Sequence, residues 1–173
     1  MTTPKAKFAG LALIAALCAG FTLGLMAPAL AGLDEGEAAY QRGDYATAIR
    51  EWRPLAKQGV ADAQYNLGVM YGEGLGVPQD YAKAVGWWRK AAEQGHTTAQ
   101  YNLGVAYHNG EGVPQNYAQA HMWHNLAASR FPPGEDRDKV VKNRDHVAKK
   151  MTPAQISEAQ KLAREWRPKK HQK

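Results

Sequence analysis

The sequence predicts an all-α protein: a short solenoid of helix-turn-helix repeats, closed at its C-terminal end by a helical hairpin. Three observations carry the prediction. The chain falls into register with itself when shifted by 36 residues, so that Asn66-Leu67-Gly68-Val69 meets Asn102-Leu103-Gly104-Val105. Its apolar residues recur at helical spacing. Its composition leans on Ala, Gln, Lys, Glu and Tyr, with few Ile, Val and Phe, which favours helices over sheets. Hydrophobic content of 45% and charged content of 22% are ordinary for a chain that folds, so wholesale disorder is excluded. The 173 residues leave room for one domain.

Residues 1–31 read as an export signal. Lys5 and Lys7 form a positive start, and no charge occurs from Phe8 to Met26. Ala29-Leu30-Ala31 then supplies small residues where a signal peptidase reads them, which predicts cleavage after Ala31. The competing expectation is an inner-membrane anchor over residues 8–26, because that run approaches spanning length. Cys18 is the one cysteine and lies inside this segment. A chain starting at Gly32 therefore has no thiol for disulfides, thiol catalysis or cysteine-held zinc. The mature protein is expected in the periplasm or secreted.

From residue 33 the repeat organises the chain, in units of about 33–60, 61–96 and 97–130. Gly76-Val77-Pro78-Gln79 recurs as Gly112-Val113-Pro114-Gln115, Trp87 as Trp123, and Ala91-Ala92 as Ala127-Ala128. A fixed period of this size marks stacked supersecondary units. The second helix of each unit is the clearer one. Tyr81, Ala84, Val85, Trp88, Ala91 and Ala92 make one apolar stripe, repeated by Tyr45, Ala48, Ile49, Trp52, Leu55 and Ala56. Asp44, Asp80 and Asn116 precede these helices as N-cap residues. The first helix carries Ala63, Leu67 and Tyr71, then Ala99, Leu103 and Tyr107. Gly68 and Gly104 inside it cost about 1 kcal/mol each in propensity, a cost that close approach of the partner helix would offset. Glycines and a proline between the helices end the first of each pair. No strand precedes these glycine runs and no Gly-Lys-Ser/Thr follows, so they are not phosphate loops.

The pattern A-x-A-Q-Y-N-L-G-V-x-Y…G-x-G-V-P-Q…Y-A-x-A…W…A-A of residues 61–92, echoed at 97–128, resembles Sel1-like repeats, relatives of the tetratricopeptide repeat. Residues 36–58 are more similar to a tetratricopeptide unit. Tyr40 stands four residues before Asp44 where Tyr71 stands nine before Asp80, as if five loop residues were missing. The resemblance implies a right-handed α/α superhelix serving as a non-catalytic adaptor or scaffold. Some exported relatives pair two cysteines per repeat; this chain has none there.

Beyond Arg130 the repeat stops at Phe131-Pro132-Pro133-Gly134. Residues 131–167 hold two further helical stretches, striped by Val140, Val141, Val147 and Met151 and by Ile156, Ala159, Leu162, Ala163 and Trp166. Thr152-Pro153-Ala154-Gln155 between them is a capping box with Pro at the first helical position. A solenoid must cover its last apolar face, so these helices are expected to act as its cap, followed by a basic tail at 168–173.

Charge divides along the chain. Residues 32–129 hold seven Lys and Arg against ten Asp and Glu, and residues 130–173 hold thirteen against six. The basic end suits weak contact with an anionic membrane surface, while export argues against nucleic acid as a partner. Catalytic constellations are missing: beyond residue 31 the only serines are Ser129 and Ser157, neither in a nucleophile elbow. Glu73 and Glu111 are not equivalent in the repeat. His121 and His124 are three apart on a helix, but they take the slots of Val85 and Trp88, so they read as buried rather than metal-binding. No cofactor or metal is expected.

These observations predict a protein-binding module of the cell envelope, with cell-wall glycan binding or hydrolysis as the alternative. The concave side of a solenoid is lined by first helices. Positions outside their core stripe are Asp62, Tyr65, Asn66, Val69 and Glu73, then Thr98, Tyr101, Asn102, Val105 and His108. Tyrosine offers rigid amphipathic area and asparagine can hold a peptide backbone. The competing expectation for Tyr65 and Tyr101 is packing between repeats. Self-association through Gly32–Arg42 is a further expectation, because that end has no evident cap.

Overall fold

The computed structural model describes residues 27–169, and those residues hold eight helices and no strand. The part of the expected export signal before residue 27, with Cys18 and the 8–26 run, and the last four residues of the tail lie outside the described residues. The helices are α1 (Ala27–Gln41), α2 (Tyr45–Lys57), α3 (Ala61–Glu73), α4 (Tyr81–Glu93), α5 (Thr97–Asn109), α6 (Tyr117–Arg130), α7 (Glu135–Ala148) and α8 (Pro153–Glu165). Helices α1 with α2, α3 with α4, and α5 with α6 form three hairpins. Each hairpin stacks on the next through α2 on α3 and α4 on α5. The chain is an α/α solenoid.

The start of each second helix is fixed as its sequence predicts. The side chains of Asp44, Asp80 and Asn116 accept from the backbone N–H groups of Thr47, Lys83 and Gln119 at 2.9–3.1 Å. In α8 the capping box is reciprocal. Thr152 N–H donates to Gln155 Oε1 at 2.8 Å, and Gln155 N–H donates to Thr152 Oγ1 at 3.3 Å.

The repeated motif residues each have a physical task. Gln64 and Gln100 donate to the carbonyls of Ala56 and Ala92, both at 3.1 Å, tying each first helix to the end of the preceding hairpin. Gln79 and Gln115 donate to the carbonyls of Gly72 and His108 at 2.7 Å, satisfying first-helix ends that the turn leaves open. Gly76 and Gly112 have φ of +68° and +72° and lie on the start of the preceding unit's second helix. A β-carbon at Gly76 would come within 2.8 Å of Tyr45 Cβ, so both conformation and space require glycine.

The core slot of each hairpin pairs a first-helix glycine with a second-helix ring. Gly36 receives Trp52, Gly68 receives Trp88 and Gly104 receives His124; a β-carbon at any of the three would collide with the ring. This corrects the register of the first unit. Asp44 N–H donates to Ala39 O at 2.9 Å, as Asp80 N–H does to Tyr71 O and Asn116 N–H to Tyr107 O. Ala39, not Tyr40, is therefore the counterpart of Tyr71, and the first turn is shorter by four residues rather than five. Tyr40 takes the register of Gly72 and its ring lies 6.0 Å from that of Trp52.

Helix α1 begins at Ala27, so the expected cleavage bond lies within it. Beyond that bond, Gly32 abuts Leu55, Leu33 O accepts from Trp52 Nε1 at 3.4 Å, and Ala39 is fully buried.

The last two helices both cover α6 and barely touch each other, so they cap the solenoid without forming a packed hairpin. Helix α7 stands where the first helix of a fourth unit would stand. Helix α8 turns back to bury Ala159 and Ala163 in the core shared by the second and third units.

Candidate protein-binding face

The first helices place the sequence-predicted residues in two unlike settings. On α3, Asp62 is exposed, while Tyr65, Asn66, Val69 and Glu73 are half-buried. Tyr65 lies parallel to the His96 imidazole, centroids 4.6 Å apart, and packs on the core of the next unit. Burial, with a smaller contribution from Tyr40, Glu73 and Glu37, pushes its phenol up to about 12. His96 accepts from Ala99 N–H on Nδ1, which leaves Nε2 to donate to Asp62 at 3.3 Å. That hydrogen bond holds the Asp62 carboxyl below the usual carboxylate range. Glu73 Oε1 is shielded from solvent with no hydrogen-bond partner among the described residues, and burial raises its carboxyl.

On α5 the expectation of an open face fails for two residues. Tyr101 is 8% exposed and Asn102 is 2% exposed. For Tyr101 the cause is α7, which packs against it. Val140 of α7 buries with Tyr101, Ala127 and Ala128, and Asn143 Nδ2 donates to Tyr101 Oη at 3.1 Å. Val105 packs half-buried against the same cluster, Thr98 is half-buried, and His108 is half-buried beside α7. Both tyrosines thus serve packing between neighbouring elements. The face left open is that of α1 and α3. Glu37 and Tyr40 on α1 add to it, standing close enough to act electrostatically on Tyr65. Sequence reasoning missed them because it aligned the first unit on Tyr40 instead of Gly36.

His121 and His124 lie in the interior, at 3% and 0% exposure. His124 fills the slot of Trp52 and Trp88, with its ring 5.6 Å from Tyr101. Neither of its ring nitrogens has a hydrogen-bond partner among the described residues. Burial, reinforced by His108, His121 and Arg144, drives its pKa down to about 3, so the ring is neutral. Burial lowers His121 as well, with Arg144 adding to it. Among the described residues no three His, Cys, Asp or Glu side chains converge as metal ligands would.

A shallow groove of about 470 Å³ lies elsewhere, between α2 and the Gly76-Val77 turn, lined by Arg50, Arg53 and Lys57 with Ala46, Ile49 and Pro54. None of the sequence-predicted residues borders it.

Stacked helical hairpins with variable polar residues over an invariant glycine-to-ring core define an α-solenoid repeat protein, a class that works by presenting a face. The family can be stated. The Sel1 repeat matches residues 61–96 and 97–130. A Sel1 repeat protein from Oxalobacter formigenes is similar at 32% identity and a TM-score of 0.58, over 66% of this chain and 88% of that one. The protective antigen c5321, present in uropathogenic Escherichia coli strains and displaying an SLR fold, is similar at 33% identity and a TM-score of 0.72. That match covers 80% of this chain, which spans only 29% of the antigen's length. No curated protein matches the chain. The chain belongs to the Sel1 repeat family. Sel1 repeats generally mediate protein–protein interaction and are generally non-catalytic binding modules.

Proposed function

We propose that the protein is an exported adaptor or scaffold that holds a protein or peptide partner on the first-helix face of α1 and α3. The observation that carries this reading is the contrast between the two first-helix surfaces. Both tyrosines pack on the next element, Tyr65 on His96 and Tyr101 on α7, but Asn102 is buried in the interior whereas the equivalent Asn66 remains partly exposed. Val69 and the shielded Glu73 carboxylate border the same surface and would gain partners from an occupant.

The cell-envelope setting rests on the charge-free run ending in Ala29-Leu30-Ala31. Cleavage after Ala31 would preserve every α1 contact described above. N-terminal sequencing of the exported protein is expected to begin at Gly32. A chain that keeps its first residues and fractionates with the inner membrane would favour the anchored form.

The binding reading is tested by capture from envelope extract with the chain from Gly32. Its control carries Asn66→Ala and Glu73→Gln, both at half-buried positions that leave the core intact. A partner retained by wild type and lost by the folded control supports the face. Identical retention by both forms removes it.

A further inference from the structure

We propose that His108, His146 and Lys150 form a docking point for an acidic segment of a protein partner, a cluster of Asp or Glu side chains. The three side chains converge from different elements. The Lys150 ammonium, just past the end of α7, lies 3.3 Å from His108 Nε2 at the end of α5. The ring of His146, in the last turn of α7, is 5.4 Å from that of His108. Tyr117, the first residue of α6, forms the wall: its ring lies 5.9 Å from His108, and the Lys150 ammonium sits 5.4 Å from its centroid.

Among the described residues the Lys150 ammonium has no carboxylate partner. The Lys150 ammonium rests against an imidazole and an aromatic face, neither of which carries negative charge. The charges acting on His108 are those of Lys150 and His146, both positive in sense, and they add to the effect of burial in lowering its pKa. The nearby carboxylate of Asp145 is engaged by Arg144 at 2.8 Å. Two helix C-termini, of α5 and α7, meet here, and their partial negative charge accounts for how cationic groups can gather. The outward charge still awaits a partner. Complementarity favours an acidic one, since a carboxylate entering the corner would pair with an exposed ammonium.

The position ties this docking point to the reading above, on which it rests for the partner being a protein. By the repeat, His108 takes the register of Gly72 and Tyr40, at the C-terminal end of a first helix, so the corner lies at the end of the same set of helices.

The test uses the chain from Gly32 and a rhodamine-labelled peptide of alternating Asp and Glu, followed by fluorescence anisotropy. A peptide of Asn and Gln in the same order is the uncharged comparison. The acidic peptide is expected to bind and the uncharged one is not. The variant His146→Gln with Lys150→Gln should weaken binding by about tenfold. Lys161→Gln, an exposed position on α8 that removes the same formal charge, should leave it unchanged. Equal losses in the two variants would mean a general charge effect and would overturn the proposal. So would absence of binding, or equal competition by inorganic phosphate at matched concentration. Absence of acidic-peptide binding by the unaltered chain, while a partner is still captured through Asn66 and Glu73, would overturn this docking point alone and leave the adaptor reading standing.

Discussion

A β-carbon at Gly104 would stand 2.6 Å from Nδ1 of His124, in the register in which Gly68 receives the indole of Trp88. The glycine lets the second helix of the hairpin press its ring into the first, and this contact repeats three times along the chain. Gly68→Ala should therefore lower stability by about 1–3 kcal/mol from overpacking, despite a helix-propensity gain of about 1 kcal/mol. Gly86 in α4 is the control, because nothing lies within 4 Å of a β-carbon there. Gly86→Ala should raise stability by up to about 1 kcal/mol. Urea unfolding of both variants checks the pair, and shifts of the same sign would refute the slot.

Acid should destabilise the fold through its buried histidines. His124 is neutral and held near 3, so below its ordinary value of 6.5 the unfolded chain takes up a proton that the native chain refuses. Stability therefore falls as pH drops from 6.5 toward 4, by at most about 1.4 kcal/mol per pH unit from this residue. His121 and His108, also lowered, act in the same sense. Glu73, raised by burial, binds its proton more readily in the native state and blunts the slope. His124→Phe should raise the melting temperature at neutral pH, because it removes two unpartnered ring nitrogens, and should flatten the pH dependence. A wild-type melting temperature constant from pH 7 to 4.5 would contradict this account.

The motif glutamines should be worth a hydrogen bond each. Gln79→Ala and Gln115→Ala leave the carbonyls of Gly72 and His108 without their donor and should cost about 1 kcal/mol apiece. The sites lie in different repeats, so the double variant should show the sum in thermal unfolding.

The segment after α8 acts as a strap. Trp166 meets Trp123 edge-on with centroids 6.4 Å apart, and the Arg130 guanidinium lies 4.6 Å from the Trp166 ring centroid. Lys169 N–H donates to Glu93 O at 2.8 Å, and its ammonium pairs with the Glu93 carboxylate at 2.9 Å. Trp166→Ala should cost about 2 kcal/mol and red-shift the fluorescence of the newly wetted Trp123. Glu93→Gln breaks only a largely exposed pair and should change stability by a few tenths of a kcal/mol.

How far the sequence was legible follows from how strictly each residue repeats. The 36-residue shift exposes the hairpins, the caps at Asp44, Asp80 and Asn116, and the buried fate of His121 and His124, because each position can be checked against a copy of itself. Position 40 resists this, since the first turn is shortened and a tyrosine stands where the next unit has Gly72. The candidate face was half legible. Asn66 and Asn102 are identical in motif, yet only Asn102 is buried, next to a Tyr101 that α7 packs against. Helix α7 carries no repeat motif, and its docking is set by Val140 and Asn143 acting at long range, which local periodicity does not encode.

The central claim is that the first-helix face of α1 and α3 holds a protein partner. Site-specific photo-crosslinking tests it most directly, with a benzophenone side chain placed at Asn66 or Val69 and, as the outward control, at exposed Ala82 at the start of α4. The account predicts one discrete adduct from positions 66 and 69 in envelope-bearing cells and none from position 82. Equal adducts from all three positions, or an adduct from position 82 alone, would contradict it.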